Sequence, residues 1–237
     1  GGPGGTNEVF ENFAAELASL VSVSRGTTNW VHFSLINRTF PIRLIKSAFS
    51  ISRIMLTKWK MFGNSWVLII YLLGQSWGGV LANEYGLKYP QHLKGLILSS
   101  MIDNLDEYLV NINKIRETMF SSDDVAYMQR IEAQHAFANA KYQQLVRELG
   151  EQYLHHAKDP QPRHLISTLA TPVYHHFQGD NEFVMVGALK DWDRRADIHR
   201  LTMPTYLTFG GHETMPLSAA NRMAQTIPNA TLHVTPN

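Results

Sequence analysis

The feature that most constrains this chain is a glycine-rich turn at residues 74–79, Gly-Gln-Ser-Trp-Gly-Gly, placed between two regular elements. The apolar run Tyr71–Leu73 before it is typical of a buried strand, and Val80–Tyr89 after it predicts a helix that ends before a proline. Leu93–Ser99 then predicts a second buried strand. Because a strand, a helix and a strand follow one another at this spacing, the sequence predicts a parallel sheet.

Ser76 lies at the centre of this turn, in the G-x-S-x-G arrangement of a nucleophile elbow. A sharp strand-to-helix turn strains the serine backbone, so small residues are needed two positions before and two positions after it. The hydroxyl then projects above the carboxyl edge of the sheet, where the helix N-terminus stabilises developing negative charge. The context favours a nucleophilic Ser76 over an ordinary tight turn.

A second glycine-rich segment opens the sequence, Gly-Gly-Pro-Gly-Gly at residues 1–5. Taken alone it is compatible with a flexible loop. Paired with an elbow it favours an oxyanion loop, in which glycine lets a backbone N–H approach a substrate oxygen. A glycine-rich turn without an initiator Met is also a poor start for a domain, so we expect the sequence to lack its N-terminus.

An elbow of this kind works with an acid and then a base, in that chain order. Glu213 follows the strand-like run Thr205–Phe209 and is the candidate acid, although a solvated loop carboxylate is an equal alternative. His233 is the last histidine, but it falls inside the strand-like run Thr231–Val234 and is not nominated as the base. We expect the catalytic histidine beyond Asn237.

Composition excludes several classes of protein. The 237 residues are 44% hydrophobic and 17% charged, which indicates a globular chain. A net charge of +1 gives no indication of nucleic-acid binding, and the apolar run Trp66–Leu73 is too short to cross a membrane. The absence of cysteine excludes a disulfide, a thiol nucleophile and a Cys-ligated metal. We expect no metal and no cofactor, and cytoplasm is the default location.

Residues 26–70 differ from the rest of the sequence, because they contain neither Asp nor Glu but hold six Lys or Arg and three of the five Trp. One interpretation is a basic segment that faces a membrane or a partner. The alternative is a frameshift in the gene: shifted by one nucleotide, back-translated codons can encode a Tyr-Asp-Gln-Leu-Gly turn and an acidic amphipathic helix. We favour the frameshift and infer no function from these residues.

The predicted organisation is a split core with an insertion. Residues 1–102 form the first part of the core and include a helix at Phe10–Leu20. Residues 103–186 are expected to form a helical cap, with helices at Glu107–Phe120 and Asp123–Tyr153. Residues 187–237 form the second part of the core, with a helix at Ala219–Thr226 and the C-terminus missing.

Four motifs resemble the proline iminopeptidases in order and spacing: the glycine loop at 1–5, the elbow at 74–79, Asp-Asn-Glu-Phe at 180–183 and Leu-Lys-Asp-Trp-Asp-Arg at 189–194. The resemblance implies an α/β-hydrolase fold and a serine aminopeptidase that releases N-terminal proline from peptides through an acyl-enzyme. It implies that Ser76 is the nucleophile and that the N–H groups of Gly2 and Trp77 form the oxyanion hole. It also implies that Glu182 binds the α-amino group of the substrate, and a carboxylate suits that cation.

The sequence departs from the family pattern in two places. Many members have Asp where Glu213 stands, and a one-residue gap would align Glu213 with the residue after that Asp. The family histidine is absent from the printed residues. Two competing functions therefore stay open: an esterase or proline-amide hydrolase on the same fold, and a catalytically dead, hydrolase-like binding protein.

Overall fold

A computed structural model describes residues 70–154 and 170–236 of the chain. Their centre is a sheet of four parallel strands in the spatial order of the sequence. The strands are β1 (Ile70–Gln75), β2 (Leu93–Ser99), β3 (Thr205–Gly210) and β4 (Ala230–Thr235). The predicted parallel sheet is confirmed, and each predicted strand within these ranges is present with small extensions or none.

Helices cover this sheet and fill the long connection between β2 and β3. α1 (Trp77–Lys88) joins β1 to β2, and α6 (Leu217–Thr226) joins β3 to β4. The long connection holds four helices: α2 (Asp106–Met119), α3 (Ser122–Ala133), α4 (Ala140–Tyr153) and α5 (Thr171–Phe177). Two short 3₁₀ turns lie at Pro90–His92 and Ile198–Arg200.

One helix prediction was wrong in detail. The run Asp123–Tyr153 was expected as one helix, but the structure divides it into α3 and α4. His135 adopts a left-handed backbone with φ of 52°, which ends α3. Asn139 then caps α4, because its side chain accepts hydrogen bonds from the N–H groups of Lys141 and Tyr142. Helix α5 was not predicted at all.

The long connection leaves the sheet and returns to it at one place. Asn104 forms an isolated antiparallel bridge with Asp193, and the Arg194 N–H donates to the Asp103 carbonyl over 2.7 Å. The helices α2 to α5 therefore lie between two adjacent stretches of chain. The cap boundaries at 103 and 186 stay a prediction.

The core lies between the sheet and the helices. Central-strand side chains such as Leu96, Leu98 and Leu207 are buried against residues of α1, α2 and α6. Because all four strands run in one direction, their carboxyl ends meet along one edge, and the segments after β1, β2 and β3 come together there. In the described ranges, no helix is long and apolar enough to cross a membrane.

Candidate active site

The turn after β1 has the geometry of a nucleophile elbow. Ser76 adopts φ 53° and ψ −126°, a backbone conformation that costs energy for a residue with a side chain. Two hydrogen bonds hold it there: the Ser76 N–H donates to the Ser99 carbonyl over 3.0 Å, and the Gly79 N–H donates to the Ser76 carbonyl over 2.7 Å. Ser76 immediately precedes α1, so the helix N-terminus lies beside its side chain.

Gly74 shows why the turn needs a small residue before the serine. A Cβ placed on Gly74 would lie 2.4 Å from the Gly78 carbonyl oxygen and 2.6 Å from the Ala82 Cβ. The first of these atoms is backbone and cannot swing away. The sequence predicted a small residue two positions before the serine, and the close approach of the two sides of the elbow at Gly74 explains that requirement. The catalytic role of Ser76 stays a prediction.

Ser76 and Glu182 line the same pocket, although they are far apart in the sequence. The other lining residues are largely apolar, so a ligand there would be shielded from water except at its polar contacts. The pocket is lined by Ser76, Trp77, Val80, Met101, Leu105, Tyr108, Gln178, Glu182, Met185, Leu189 and Met215.

Two tyrosines hold Glu182 in this pocket. The Tyr174 hydroxyl donates to Glu182 Oε1 over 2.8 Å, and the Tyr108 hydroxyl donates to the Glu182 backbone carbonyl. Burial, reinforced by the Glu182 carboxylate, raises the pKa of both tyrosines well above the ordinary value of 10. Both phenols therefore stay protonated as donors, and the carboxylate stays fixed as an acceptor.

Glu213 lies in the turn after β3, on the same edge of the sheet as Ser76 but outside the pocket lining. Burial raises the pKa of its carboxyl group, while hydrogen bonds from the Ser100 side chain and the Gly210 backbone oppose that rise. Within the described ranges, its Oε1 atom is buried and has no hydrogen-bond partner. A buried carboxylate oxygen of this kind can accept from an imidazole N–H, and the role of Glu213 as the triad acid stays a prediction.

The two histidines described near this edge, His212 and His233, do not line the Ser76 pocket, where a catalytic base would be needed. His233 lies within β4, as the sequence predicts. Its side chain is exposed, and its ring stacks on Tyr206 with centroids 6.4 Å apart. His212, which precedes Glu213, stacks on Tyr153 with centroids 4.4 Å apart. No histidine is among the described residues that line the Ser76 pocket.

Three predictions lie outside the described residues and concern Gly2 with the rest of the glycine loop, the helix Phe10–Leu20, and residues 26–69. Trp77, the other residue predicted to supply an oxyanion N–H, is the first residue of α1 and directly follows Ser76. No cluster of three or more metal-ligating side chains occurs in the part of the chain that the structure describes.

Sequence reasoning missed the residues that support Glu182. Tyr108 lies inside a predicted helix, and Tyr174 lies in the unpredicted α5, so no spacing marked either of them. The same holds for Arg116, whose guanidinium donates to the Phe183 carbonyl over 3.0 Å. Tyr108 and Arg116 make contacts across 74 and 67 positions of sequence, which a linear pattern does not reveal. Tyr174 lies only eight positions before Glu182, but in a helix that the sequence did not predict.

Comparison with known proteins agrees with this geometry. Residues 69–237 match the family described as alpha/beta hydrolase fold, and the chain belongs to that family. The resemblance to proline iminopeptidases is confirmed by curated relatives of that name. The relative from Flavobacterium johnsoniae is 30% identical over 172 residues, which is 70% of this chain and 57% of that protein. The relative from Saccharolobus solfataricus is 30% identical over 181 residues, or 75% of this chain and 57% of that protein.

The chain thus spans little more than half the length of these relatives. Solved structures show the same fold. The proline iminopeptidase of Mycobacterium smegmatis superposes with a TM-score of 0.71 at 21% identity, over 98% of this chain and 79% of that one. VinJ superposes with a TM-score of 0.69 at 21% identity, over 78% of this chain and 64% of that one.

Proposed function

We propose that the protein is a serine aminopeptidase that releases N-terminal proline from peptides. The observation that carries the proposal is the meeting of Ser76 and Glu182 in one apolar pocket. An aminopeptidase must recognise a cation at a fixed distance from the bond it cuts, and a hydroxyl with a carboxylate in one pocket supplies both functions. Curated relatives with this activity in their names support the substrate class.

In the proposed reaction, the Ser76 hydroxyl oxygen attacks the carbonyl carbon of the N-terminal proline. The N–H groups of Trp77 and Gly2 stabilise the negative oxygen of the tetrahedral intermediate. The base takes the proton of the Ser76 hydroxyl and passes it to the departing amine as the C–N bond breaks, and a proline ester of Ser76 remains. Water then hydrolyses this ester and restores the hydroxyl. Glu182 holds the substrate ammonium throughout, and Glu213 is the candidate acid that orients the base.

Replacing Glu182 with Gln tests the proposal, because the change keeps the shape and removes the charge. A charge-assisted hydrogen bond contributes about 1.5–3 kcal/mol, so kcat/KM for proline p-nitroanilide should fall roughly ten- to a hundredfold. N-acetylproline p-nitroanilide lacks the cation, so the wild type should hydrolyse it poorly and the variant should lose little further activity. Both enzymes, as full-length gene products, are assayed with both substrates.

Glu117→Gln is the matched control, since Glu117 is exposed on α2 and does not line the pocket. It should leave both rates unchanged. An equal loss on both substrates in Glu182→Gln would make Glu182 a structural residue. A wild type that prefers the acetylated substrate would favour the esterase or amidase alternative over the aminopeptidase. A wild type that is inactive on both substrates would favour the alternative of a catalytically dead, hydrolase-like binding protein.

A further inference from the structure

The residues on either side of Glu182 are held by side chains from distant helices. The Asn181 side-chain N–H donates to the Tyr142 hydroxyl over 3.0 Å, and its side-chain oxygen accepts from the Phe183 N–H over 3.0 Å. The Phe183 carbonyl in turn accepts from the Arg116 guanidinium over 3.0 Å. Helices α2 and α4 therefore fix the backbone just before and just after Glu182.

These contacts close into one network through Glu132 on α3. The two terminal guanidinium nitrogens of Arg116 donate to the Glu132 carboxylate, over 2.6 and 3.1 Å, and the Tyr142 hydroxyl donates to the same carboxylate over 2.9 Å. Tyr142 thus accepts from the loop and donates to the ion pair. The loop network, as we name Arg116, Glu132, Tyr142 and Asn181, joins three helices to one loop.

The ion pair at the centre of this network is poorly exposed. The exposed fraction is 3% for the Arg116 side chain and 16% for that of Glu132. Removing two charges from water is costly, and a buried pair is often replaced by apolar side chains without loss of stability. What an apolar replacement lacks is direction: a bidentate guanidinium and a hydroxyl set angles as well as distances. The network therefore suits the placement of a loop better than it suits stabilisation alone.

We propose that the loop network positions the Glu182 carboxylate for the substrate ammonium, and so sets the preference for a free N-terminal amine. The inference rests on the proposed function. Tyr108 and Tyr174 hold Glu182 directly, while the loop network holds the backbone that carries it. Its four members are positioning residues, because none of them lines the pocket.

Tyr142→Phe tests this proposal by removing the hydroxyl that joins Asn181 to Glu132 while keeping the buried ring. The kcat/KM for proline p-nitroanilide should fall about three- to tenfold, mainly through KM, since the two hydrogen bonds of the hydroxyl, from Asn181 and to Glu132, are both lost. Hydrolysis of p-nitrophenyl cyclopentanecarboxylate, which has the five-membered ring without the ammonium, should stay unchanged. Tyr127→Phe is the matched control, because its hydroxyl bonds to Asn139 and not to the 181–183 loop.

A double-mutant cycle separates positioning from general damage. Tyr142→Phe should cause no further loss in a Glu182→Gln background, because there is no carboxylate left to position. A loss that persists in that background, or an equal loss on both substrates, overturns the proposal. Asn181→Ala breaks the same link from the loop side and should give the same pattern, which keeps the test decisive if Tyr142→Phe does not fold.

The cycle also distinguishes this inference from the function on which it rests. If Glu182→Gln removes the preference for the free amine and Tyr142→Phe leaves it intact, only the positioning proposal fails. If Glu182→Gln itself leaves the preference intact, the aminopeptidase proposal fails and the positioning role fails with it.

Discussion

At the scale of single residues, Ser76 has a strained backbone and a half-buried side chain, and it lies at the N-terminus of α1. Strain of this kind persists only where the surroundings impose it, and here two backbone hydrogen bonds and the Gly74–Gly78 contact do so. The turn therefore presents one hydroxyl in a fixed direction. This is what a nucleophile requires, and a connecting turn has no need of it.

Ser76→Ala should reduce turnover of proline p-nitroanilide by about 10⁶-fold, because the acyl-enzyme cannot form without the hydroxyl. The backbone geometry should survive, since alanine is small and the surrounding contacts are unchanged, so thermal unfolding should occur near the wild-type temperature. Steady-state rates and a melting curve check both expectations. EDTA should leave the wild-type rate unchanged. Wild-type turnover in the variant would remove the serine-hydrolase interpretation.

At the scale of elements, the elbow depends on how closely α1 follows β1. Gly74→Ala would place a Cβ against the Gly78 carbonyl, and the backbone on one side must shift. Forcing an extra carbon into a packed contact costs about 1–3 kcal/mol. We expect the free energy of unfolding, measured in urea, to fall by this amount, and turnover to fall with it because Ser76 moves.

Gly150→Ala is the control for this prediction. Gly150 lies near the end of α4, and apart from its chain neighbours and its own helix backbone no atom of the described residues lies within 4 Å of the position that a Cβ would take. Alanine there should be neutral or should stabilise the helix by roughly 0.5–1 kcal/mol. Equal losses in the two variants would show that the Gly74 contact has no special role.

The elements also show what a sequence can predict about this protein. Strand β2 was predicted at Leu93–Ser99 and observed there, because a largely buried strand has a short, nearly continuous apolar run. The elbow was predictable because its chemistry is local. The break between α3 and α4 was not predictable, since it depends on a left-handed His135 in a segment, residues 134–139, that contains no glycine or proline.

The same division applies to the site. Ser76, Trp77 and Glu182 were identified from motifs, and the structure brings all three to one pocket. Tyr108, Tyr174 and the three helix residues of the loop network were not identified, because what marks them is contact with the 181–183 loop or with each other in the folded chain. Tyr142, for example, reaches Asn181 across 39 positions of sequence. Residues that support a site from a distance carry no local signal.

At the scale of the whole molecule, a cluster of ion pairs joins the sheet to the two ends of the long connection. Asp103 after β2 is fully buried and accepts from Arg222 of α6 over 2.7 Å. Arg222 also pairs with Glu107 at the start of α2, and Glu107 pairs with Arg195 in the returning stretch. A single group of charges thus fastens the helices to the core beside the active-site edge.

A second whole-molecule property is stability against pH, and Glu213 affects it in a definite direction. Burial raises the pKa of its carboxyl group in the folded state above the ordinary value of 4.5. Between the pKa of the unfolded chain and the higher pKa of the folded state, the folded protein binds more protons than the unfolded chain. The free energy of unfolding therefore falls as pH rises through that window. At pH values above that window the half-buried Glu213 carboxylate therefore opposes folding, which is a cost that a functional carboxylate can impose.

Glu213→Gln should remove this cost, because the amide is neutral at every pH. The gain in the free energy of unfolding of the variant over the wild type should be larger at pH 7 than at pH 4, because the wild-type carboxyl group is itself largely protonated at pH 4. Urea unfolding of both proteins at both pH values measures the difference directly. The same stability difference at pH 4 and at pH 7 would show that burial does not perturb this carboxyl group. It would also favour the interpretation of Glu213 as a solvated loop residue over that of a catalytic acid.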